Sequence, residues 1–242
     1  MKGYYPEQQL LGFNRSDVTI LFYNYVNAQL TDEMTVLIVG CGRGLAFDQN
    51  SYKSKLQWFK GRCTKVIGID VDPNAKNNPS VDEFRLIEND EWSIESGSID
   101  MIVCDWVVEH VEHPDKFFKE CNRVLKPKGI TCIRTSNKLH YVSIGASLIP
   151  NRFHSKYVSG IVGLRKDEDV FPTYFKCNTI SKLKLLHEKS GFNTVVFAVE
   201  PPPWYLKFSR VTFWLGLVYG RLVPSSLKYT IMAFGVKENK SF

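Results

Sequence analysis

The sequence predicts an α/β fold built on a mostly parallel sheet, and three observations carry that prediction. Short apolar runs rich in β-branched residues alternate with helical segments, a pattern that calls for right-handed crossovers between parallel strands. The first run, Val36-Leu37-Ile38-Val39, passes directly into Gly40-Cys41-Gly42-Arg43-Gly44, where alternate glycines let the chain turn sharply and bring its backbone close to a ligand. The second, Val66-Ile67-Gly68-Ile69, ends in the carboxylate of Asp70. In an open α/β sheet both points fall at the carboxyl edge, where ligands bind and an acid can accept hydrogen bonds from both hydroxyls of a ribose.

The elements follow in order. Residues 1 to 16 read as an irregular arm, and Asp17 caps an apolar-rich helix reaching about Leu30, which completes an N-terminal helical arm over 1–30. Strand one runs near Thr35 to Val39, a helix covers roughly Tyr52 to Lys60, strand two spans Lys65 to Ile69, strand three lies near Phe84 to Glu88, and strand four is Asp100 to Cys104. Pro114 occupies the first turn of a helix continuing to about Val124, where its missing N–H is harmless. Gly129 opens strand five, Ile130 to Arg134. Residues 136–177, rich in Tyr, His, Lys and Gly, break the alternation and read as a lid or substrate-binding insertion, because long connections without a function are uncommon. Asn178 or Thr179 caps the next helix, which ends near Ser190 before Gly191; strand six is Thr194 to Val199 and the last strand Tyr229 to Val236.

Pro201-Pro202-Pro203 precedes an aromatic, apolar segment, Trp204 to Val223, interrupted by Lys207, Arg210 and Arg221. The uncharged run is too short to span a membrane. It reads first as a core-facing helix or the floor of an apolar pocket. A second reading lays it in a membrane interface, with Trp204, Phe213 and Trp214 inserted and the cations facing lipid phosphates.

With 242 residues, 44% hydrophobic and 23% charged, the chain is long enough for one large domain, expected over 1–242. Six cysteines include no C-x-x-C pair, and the N-terminus lacks a signal pattern, so a reducing cytoplasm is expected. Cys41 reads as a small side chain in a crowded bend rather than as a nucleophile. The formal net charge of +6 is scattered, which permits an anionic substrate; no basic tract or aromatic-interleaved basic strand points to nucleic acid. Five histidines without metal-ligand spacing lead us to expect no structural metal.

The glycine spacing narrows the ligand. A dinucleotide usually demands G-x-G-x-x-G with an acid roughly 20 residues on, whereas here the spacing is G-x-G-x-G, the sixth position is Leu45 and Asp70 lies later. No P-loop run occurs either. A phosphate-free nucleoside fits better.

At this point the chain resembles the class I S-adenosylmethionine-dependent methyltransferases, and within them the small-molecule branch close to the ubiquinone-biosynthesis enzymes. Val39-Gly40-Cys41-Gly42-Arg43-Gly44 is similar to the motif that holds the amino-acid end of S-adenosyl-L-methionine, and Asp70 to the ribose-binding acid. Val71-Asp72-Pro73 follows, so Asp72 could share or replace that role. Asn89-Asp90-Glu91-Trp92 resembles the adenine-binding stretch, in which Asp90 would contact the adenine amino group and Trp92 cover the ring. The run from Ser98 through Asp105 to Val111 resembles the fourth strand and the catalytic-edge loop, and Leu125 to Gly129 the turn before strand five. The resemblance implies a Rossmann-like three-layer sandwich with a seven-stranded sheet and an antiparallel last strand.

It also implies methyl transfer, an in-line displacement in which the protein aligns donor and acceptor, excludes water and, for an oxygen nucleophile, removes a proton. His110, after strand four, is the first candidate base; His140 and His154 in the expected lid are the others, and Tyr141 or Tyr157 could orient a hydroxyl. No Asn-Pro-Pro-Tyr or Asp-Pro-Pro-Tyr run is present, which lowers N-methylation of bases or glutamine, and Cys104 and Cys121 read as core residues. The expected acceptor is a hydroxyl on a small molecule, a glycan precursor or a lipid-like intermediate. Two alternatives remain: a non-catalytic cofactor-binding subunit and a dinucleotide-dependent oxidoreductase.

Overall fold

The computed structural model describes residues 3–44, 51–88, 91–148 and 171–239. Seven strands, β1 (Thr35–Val39), β2 (Lys65–Asp70), β3 (Glu83–Leu86), β4 (Ile99–Asp105), β5 (Leu125–Ser136), β6 (Phe192–Val199) and β7 (Thr230–Lys237), form one sheet of order β3-β2-β1-β4-β5-β7-β6. The first five are parallel, and β7 runs antiparallel between β5 and β6. The helices are α1 (Glu7–Leu11), α2 (Val18–Gln29), α3 (Tyr52–Gln57), α4 (Pro114–Val124), α5 (Tyr141–Leu148), α6 (Ile180–Lys189) and α7 (Arg210–Leu222). The strand order and the helices α2, α3, α4 and α6 are those expected from the alternation and the family resemblance, whereas α5 forms inside the segment read as a lid.

Alternation along the strands divides the core into two layers, because successive side chains point to opposite faces. Val36, Val66, Met101, Cys132 and Met232 pack with Phe22, Tyr23 and Val26 of α2 and with Phe59. Their neighbours Leu37, Ile67, Ile102, Ile133 and Ile231 pack with Phe117, Phe118 and Cys121 of α4 and with Leu183 and Leu186 of α6. Both layers are sealed, which suits a mainly parallel sheet.

Local capping sets the helix starts. The Asp17 carboxylate accepts the Thr19 and Ile20 N–H groups at the head of α2, and Thr179, rather than Asn178, caps α6 through the Lys182 N–H. Asn178 is instead fully buried, donating to Thr135 Oγ1 (2.7 Å) and the Ser136 carbonyl (3.1 Å).

Four expectations need correction. The arm before Asp17 is not irregular throughout, since α1 forms there. The helix from Tyr52 stops at Gln57 instead of Lys60, because Trp58 is extended and Phe59 turns inward to a fully buried position. Strand five begins at Leu125, not Ile130: the Leu125–Gly129 turn is an irregularity within β5, with Ile99 opposite Leu125 and Met101 opposite Ile130, and Lys128 at φ +64°. The segment from Trp204 is not one helix but a 3-10 turn, Trp204–Leu206, followed by α7, whose first turn Ser209 caps. Much of the expected lid, residues 149–170, lies outside the described residues.

Candidate active site

The end of β1 turns under the end of β2. Gly40 and Cys41 donate to the Ile69 carbonyl at 2.8 and 3.2 Å, which folds the glycine turn back beneath Asp70. Two of its glycines are required by close approach. A Cβ on Gly40 (φ +64°) would lie 2.4 Å from Val107, and one on Gly44 (φ +68°) 2.6 Å from Asn78 Oδ1. Gly42 is different: it shares the left-handed conformation (φ +58°), yet the space where a Cβ would sit is open. Its N–H donates to Asp70 Oδ2 at 2.8 Å.

Asp70 is buried, 6% exposed, and its second oxygen accepts the Asp72 N–H at 2.9 Å. A carboxylate oxygen accepts two hydrogen bonds, so each oxygen keeps capacity for a ribose hydroxyl. Asp72 is more heavily committed. It takes Arg43 Nε at 2.7 Å and both the backbone N–H and side-chain amide of Asn74 at 2.9 Å. The Asn74 N–H and Arg43 hold its carboxyl below the usual range. Between the two acids the geometry favours Asp70 for the ribose and gives Asp72 the cap of the 3-10 turn Pro73–Asn77. Val71, between them, is exposed.

Asn78 was not singled out by the sequence. Its amide donates to the Cys41 and Gly42 carbonyls at 2.7 and 3.1 Å, and its oxygen accepts from Ser80, so it clamps the turn from outside. The Asn78-Pro79 pair signals a turn, but nothing local says what that turn holds. Burial and the neighbouring Asp70 push the Cys41 thiol up to about 12, which leaves it protonated and unsuited to nucleophilic work. Burial acts the same way on Cys104 and Cys121.

The adenine-binding stretch is described in part. Asn89 and Asp90 lie outside the described residues, and Glu91 is exposed, its N–H donating to the Glu88 carbonyl at 3.0 Å. Trp92 is buried among core residues with its ring edge-on to Phe117 at 5.5 Å.

The loop after β4 meets the glycine turn through Val107. Asp105, expected near the cofactor, is engaged by Arg134: Nε and Nη2 donate to its two oxygens at 2.6 and 2.7 Å, and the Tyr23 hydroxyl adds a third bond at 2.9 Å. Arg134 is 2% exposed and lies against the rings of Phe22, Tyr23 and Trp106. Burial and the Asp105 charge raise the Tyr23 hydroxyl well above its ordinary range. Trp106 sits at φ +58°, a conformation costly for a bulky side chain, and its N–H donates to the Arg134 carbonyl. The buried pair thus fixes the turn out of β4. The charged residue ending an apolar strand was the only sequence signal for it.

Five residues after Asp105, His110 places Nδ1 2.8 Å from the Pro172 carbonyl. A carbonyl can only accept, so Nδ1 carries the proton and Nε2 presents its lone pair. The segment that supplies Pro172 is anchored by Tyr174 and Phe175 N–H bonds to the Glu109 carbonyl. Glu109 is itself buried, its carboxyl raised by burial, and accepts the Thr135 hydroxyl at 2.7 Å.

His140 is arranged in the opposite sense. Its Nδ1 accepts the Val142 N–H at 3.2 Å, so Nε2 carries the proton and donates to Glu200 at 3.1 Å. Glu200 in turn accepts the Tyr229 N–H, and the rings of Tyr141, Tyr219 and Tyr229 surround the imidazole. Both nitrogens are occupied, so His140 suits positioning better than proton abstraction. His154 and Tyr157 lie outside the described residues. Among the described residues no cluster of His, Cys, Asp or Glu could hold a metal ion.

Residues 37–133 match the family model described as a methyltransferase domain. The human mitochondrial ubiquinone biosynthesis O-methyltransferase is 35% identical over 150 residues, covering 52% of this chain and 38% of that protein. A thiol S-methyltransferase of Rattus norvegicus is 31% identical over 111 residues, 41% of each chain. The chain spans less than half the length of these curated relatives. Among solved structures, an S-adenosylmethionine-dependent methyltransferase from Archaeoglobus fulgidus shares the fold with a TM-score of 0.58 at 18% identity, over 97% of this chain and 99% of that one. Phosphoethanolamine N-methyltransferase 2 of Haemonchus contortus has a TM-score of 0.54 at 17% identity, over 92% and 53%. The antiparallel β7 and the family match set aside the dinucleotide-dependent oxidoreductase. Residues 37–133 thus carry a methyltransferase domain of the class I S-adenosylmethionine-dependent kind.

Proposed function

We propose that this protein transfers the methyl group of S-adenosyl-L-methionine to a hydroxyl of a small molecule, glycan precursor or lipid-like acceptor. The observation that carries the reading is the loop that joins two features: Val107 packs against Gly40 of the glycine turn, and the same loop presents His110 with Nε2 available. The residues fit the cofactor, since Gly42 faces open space and Asp70 keeps accepting capacity beside it. When bound, S-adenosyl-L-methionine supplies a methyl group already activated by its sulfonium.

The chain's own part is alignment and proton removal. The glycine turn, with Gly40, Cys41, Gly42 and Gly44, cradles the amino-acid end, and Asp70 orients the ribose. His110 Nε2 accepts the acceptor's proton as attack proceeds, while its Nδ1–H stays on the Pro172 carbonyl and keeps the ring oriented. Tyr141, packed against the His140 that Glu200 holds, orients the acceptor.

The test begins with calorimetric titration of S-adenosylmethionine and S-adenosylhomocysteine, with NADH as control, followed by a screen of hydroxylated acceptors for S-adenosylhomocysteine release. His110→Ala is expected to lower turnover by about a hundredfold or more with cofactor affinity unchanged. Turnover equal to wild type would remove His110 as the base. Selective cofactor binding without turnover on any acceptor would favour the non-catalytic subunit instead.

A further inference from the structure

The helix α7 presents two opposite faces. Phe213 and Gly216 are buried against the domain, whereas Val211, Trp214, Leu215 and Leu222 are 66%, 50%, 52% and 78% exposed. Their spacing of three, four and seven residues puts those four on one stripe. Phe208, just before the helix, is 76% exposed and continues the apolar surface. Exposed apolar side chains grouped on one stripe, rather than scattered singly, mark an interaction surface.

What surrounds the stripe identifies its occupant. Between Glu200 and Glu238 the sequence holds no Asp or Glu, while Lys207, Arg210, Arg221, Lys228 and Lys237 all fall there. Lys207, Arg210 and Arg221 are exposed, and the described residues give none of these three an ion pair. At 100° per residue Arg210 and Arg221 fall together on one border of the stripe. No described helix is long and apolar enough to cross a membrane. The carboxylate that packs on α7, Glu200 against Gly220, is tied to His140 and the Tyr229 N–H, so an apolar stripe bordered by unpaired cations, on a segment without Asp or Glu of its own, is complementary to a surface that is apolar inside and anionic outside.

We infer that α7 and the preceding turn dock this protein on an anionic phospholipid surface, with Phe208, Val211, Trp214, Leu215 and Leu222 entering the headgroup boundary and Lys207, Arg210 and Arg221 on lipid phosphates. The helix lies in the plane of the interface. Its Tyr219 packs on Tyr141 (5.2 Å between ring centres) and lies near His140 (6.0 Å), so the lipid surface borders the His140–Glu200 cluster at the sheet's carboxyl edge. The inference does not depend on methyl transfer, because binding to vesicles is read without turnover.

The experiment is co-sedimentation of the full chain with vesicles of phosphatidylcholine alone and of phosphatidylcholine mixed with phosphatidylglycerol. Binding to the mixed vesicles is expected to exceed binding to neutral ones by at least about tenfold and to fall in high salt. Arg210→Gln and Arg221→Gln should each weaken it by roughly fivefold, and Trp214→Glu with Leu215→Glu should abolish it. Leu185→Glu, at an exposed position on α6, should leave it intact. Thermal melting of each variant at the wild-type temperature shows that the fold survives. Equal binding to both vesicle types, or no binding by the wild-type chain, overturns the inference. So does anionic-vesicle binding that survives Trp214→Glu/Leu215→Glu. A dimer in sedimentation velocity that Leu215→Glu dissociates, without vesicle binding, assigns the stripe to a second copy of the chain and overturns it too.

Discussion

The two halves of the sheet's carboxyl edge are built from different material. On the β1–β2 side the candidate site is largely backbone: Gly40 and Cys41 bond to Ile69, and Gly42 and Asp72 donate N–H groups to Asp70. On the β5–β7–β6 side it is side chains from distant positions, with His140 on Glu200, Glu200 on the Tyr229 N–H, and both Arg134 and Tyr23 on Asp105. A backbone-built site needs particular residues at fixed local spacing. A side-chain-built one needs partners that only the fold brings together.

The largest effect that would sharpen this contrast is expected at Arg134. Arg134→Met leaves Asp105 in place without its guanidinium and should lower unfolding free energy by about 3–5 kcal/mol, as for other broken buried pairs. Urea denaturation of the single variant and of Arg134→Met/Asp105→Leu checks it, since removing both charges should restore part of the loss. No recovery in the double variant would mean that packing against Phe22 and Trp106, rather than pairing, is what matters.

A slightly smaller effect separates the site from the scaffold. His187, at the opposite end of β5 and β7, is fully buried between Thr131 (2.7 Å) and Thr194 (2.9 Å), and burial pushes its imidazole down from 6.5 to about 4. Between those values the unfolded chain binds the proton that the folded chain refuses. Stability is therefore full above about 6.5 and falls, by about 3 kcal/mol in all, as the pH drops to about 4. Denaturation across this range should show that slope, and His187→Leu should flatten it while leaving cofactor affinity unaltered.

On the backbone side, Asp70→Asn should weaken S-adenosylmethionine binding by about tenfold to a hundredfold, the worth of hydrogen bonds to a charged acceptor. Asp72→Asn should act less on affinity than on the local turn. Calorimetric titration of the pair tests the assignment, and a larger loss at Asp72 would reverse it. The smallest change is expected on the side-chain half. Burial and the Glu200 charge push the Tyr141 hydroxyl up to about 12, so it stays a donor. Tyr141→Phe should raise the acceptor KM by roughly twofold to fivefold with cofactor affinity unmoved, measured by initial rates once an acceptor is in hand.

The same contrast explains which features were legible in the sequence. Strand and helix order followed from apolar runs, Asp17 and Thr179 as caps, and Pro114 at a first turn, all of which act within a few residues. Errors fell where a distant neighbour decided the outcome. Phe59 is drawn into the core and ends α3 early, and the Leu125–Gly129 turn is absorbed into β5 because Ile99 of β4 pairs with Leu125. Asn78, Glu109 and Glu200 had no local signature, since their partners are Gly42, Thr135 and His140.

By itself the sequence determined the glycine turn at the end of β1, the acid at the end of β2 and the alternation that seals both faces of the sheet. Steric limits on φ and the two-residue period of a strand act on neighbours along the chain. Only the tertiary structure decided which of the two acids keeps free accepting capacity, which histidine offers a lone pair and which face of α7 stays uncovered. Each of those depends on the hydrogen-bond or packing partner that arrives from elsewhere in the chain. Arg43 occupies Asp72, the Pro172 carbonyl fixes the tautomer of His110, and Pro203 packs against Gly216 and leaves Trp214 and Leu215 facing out.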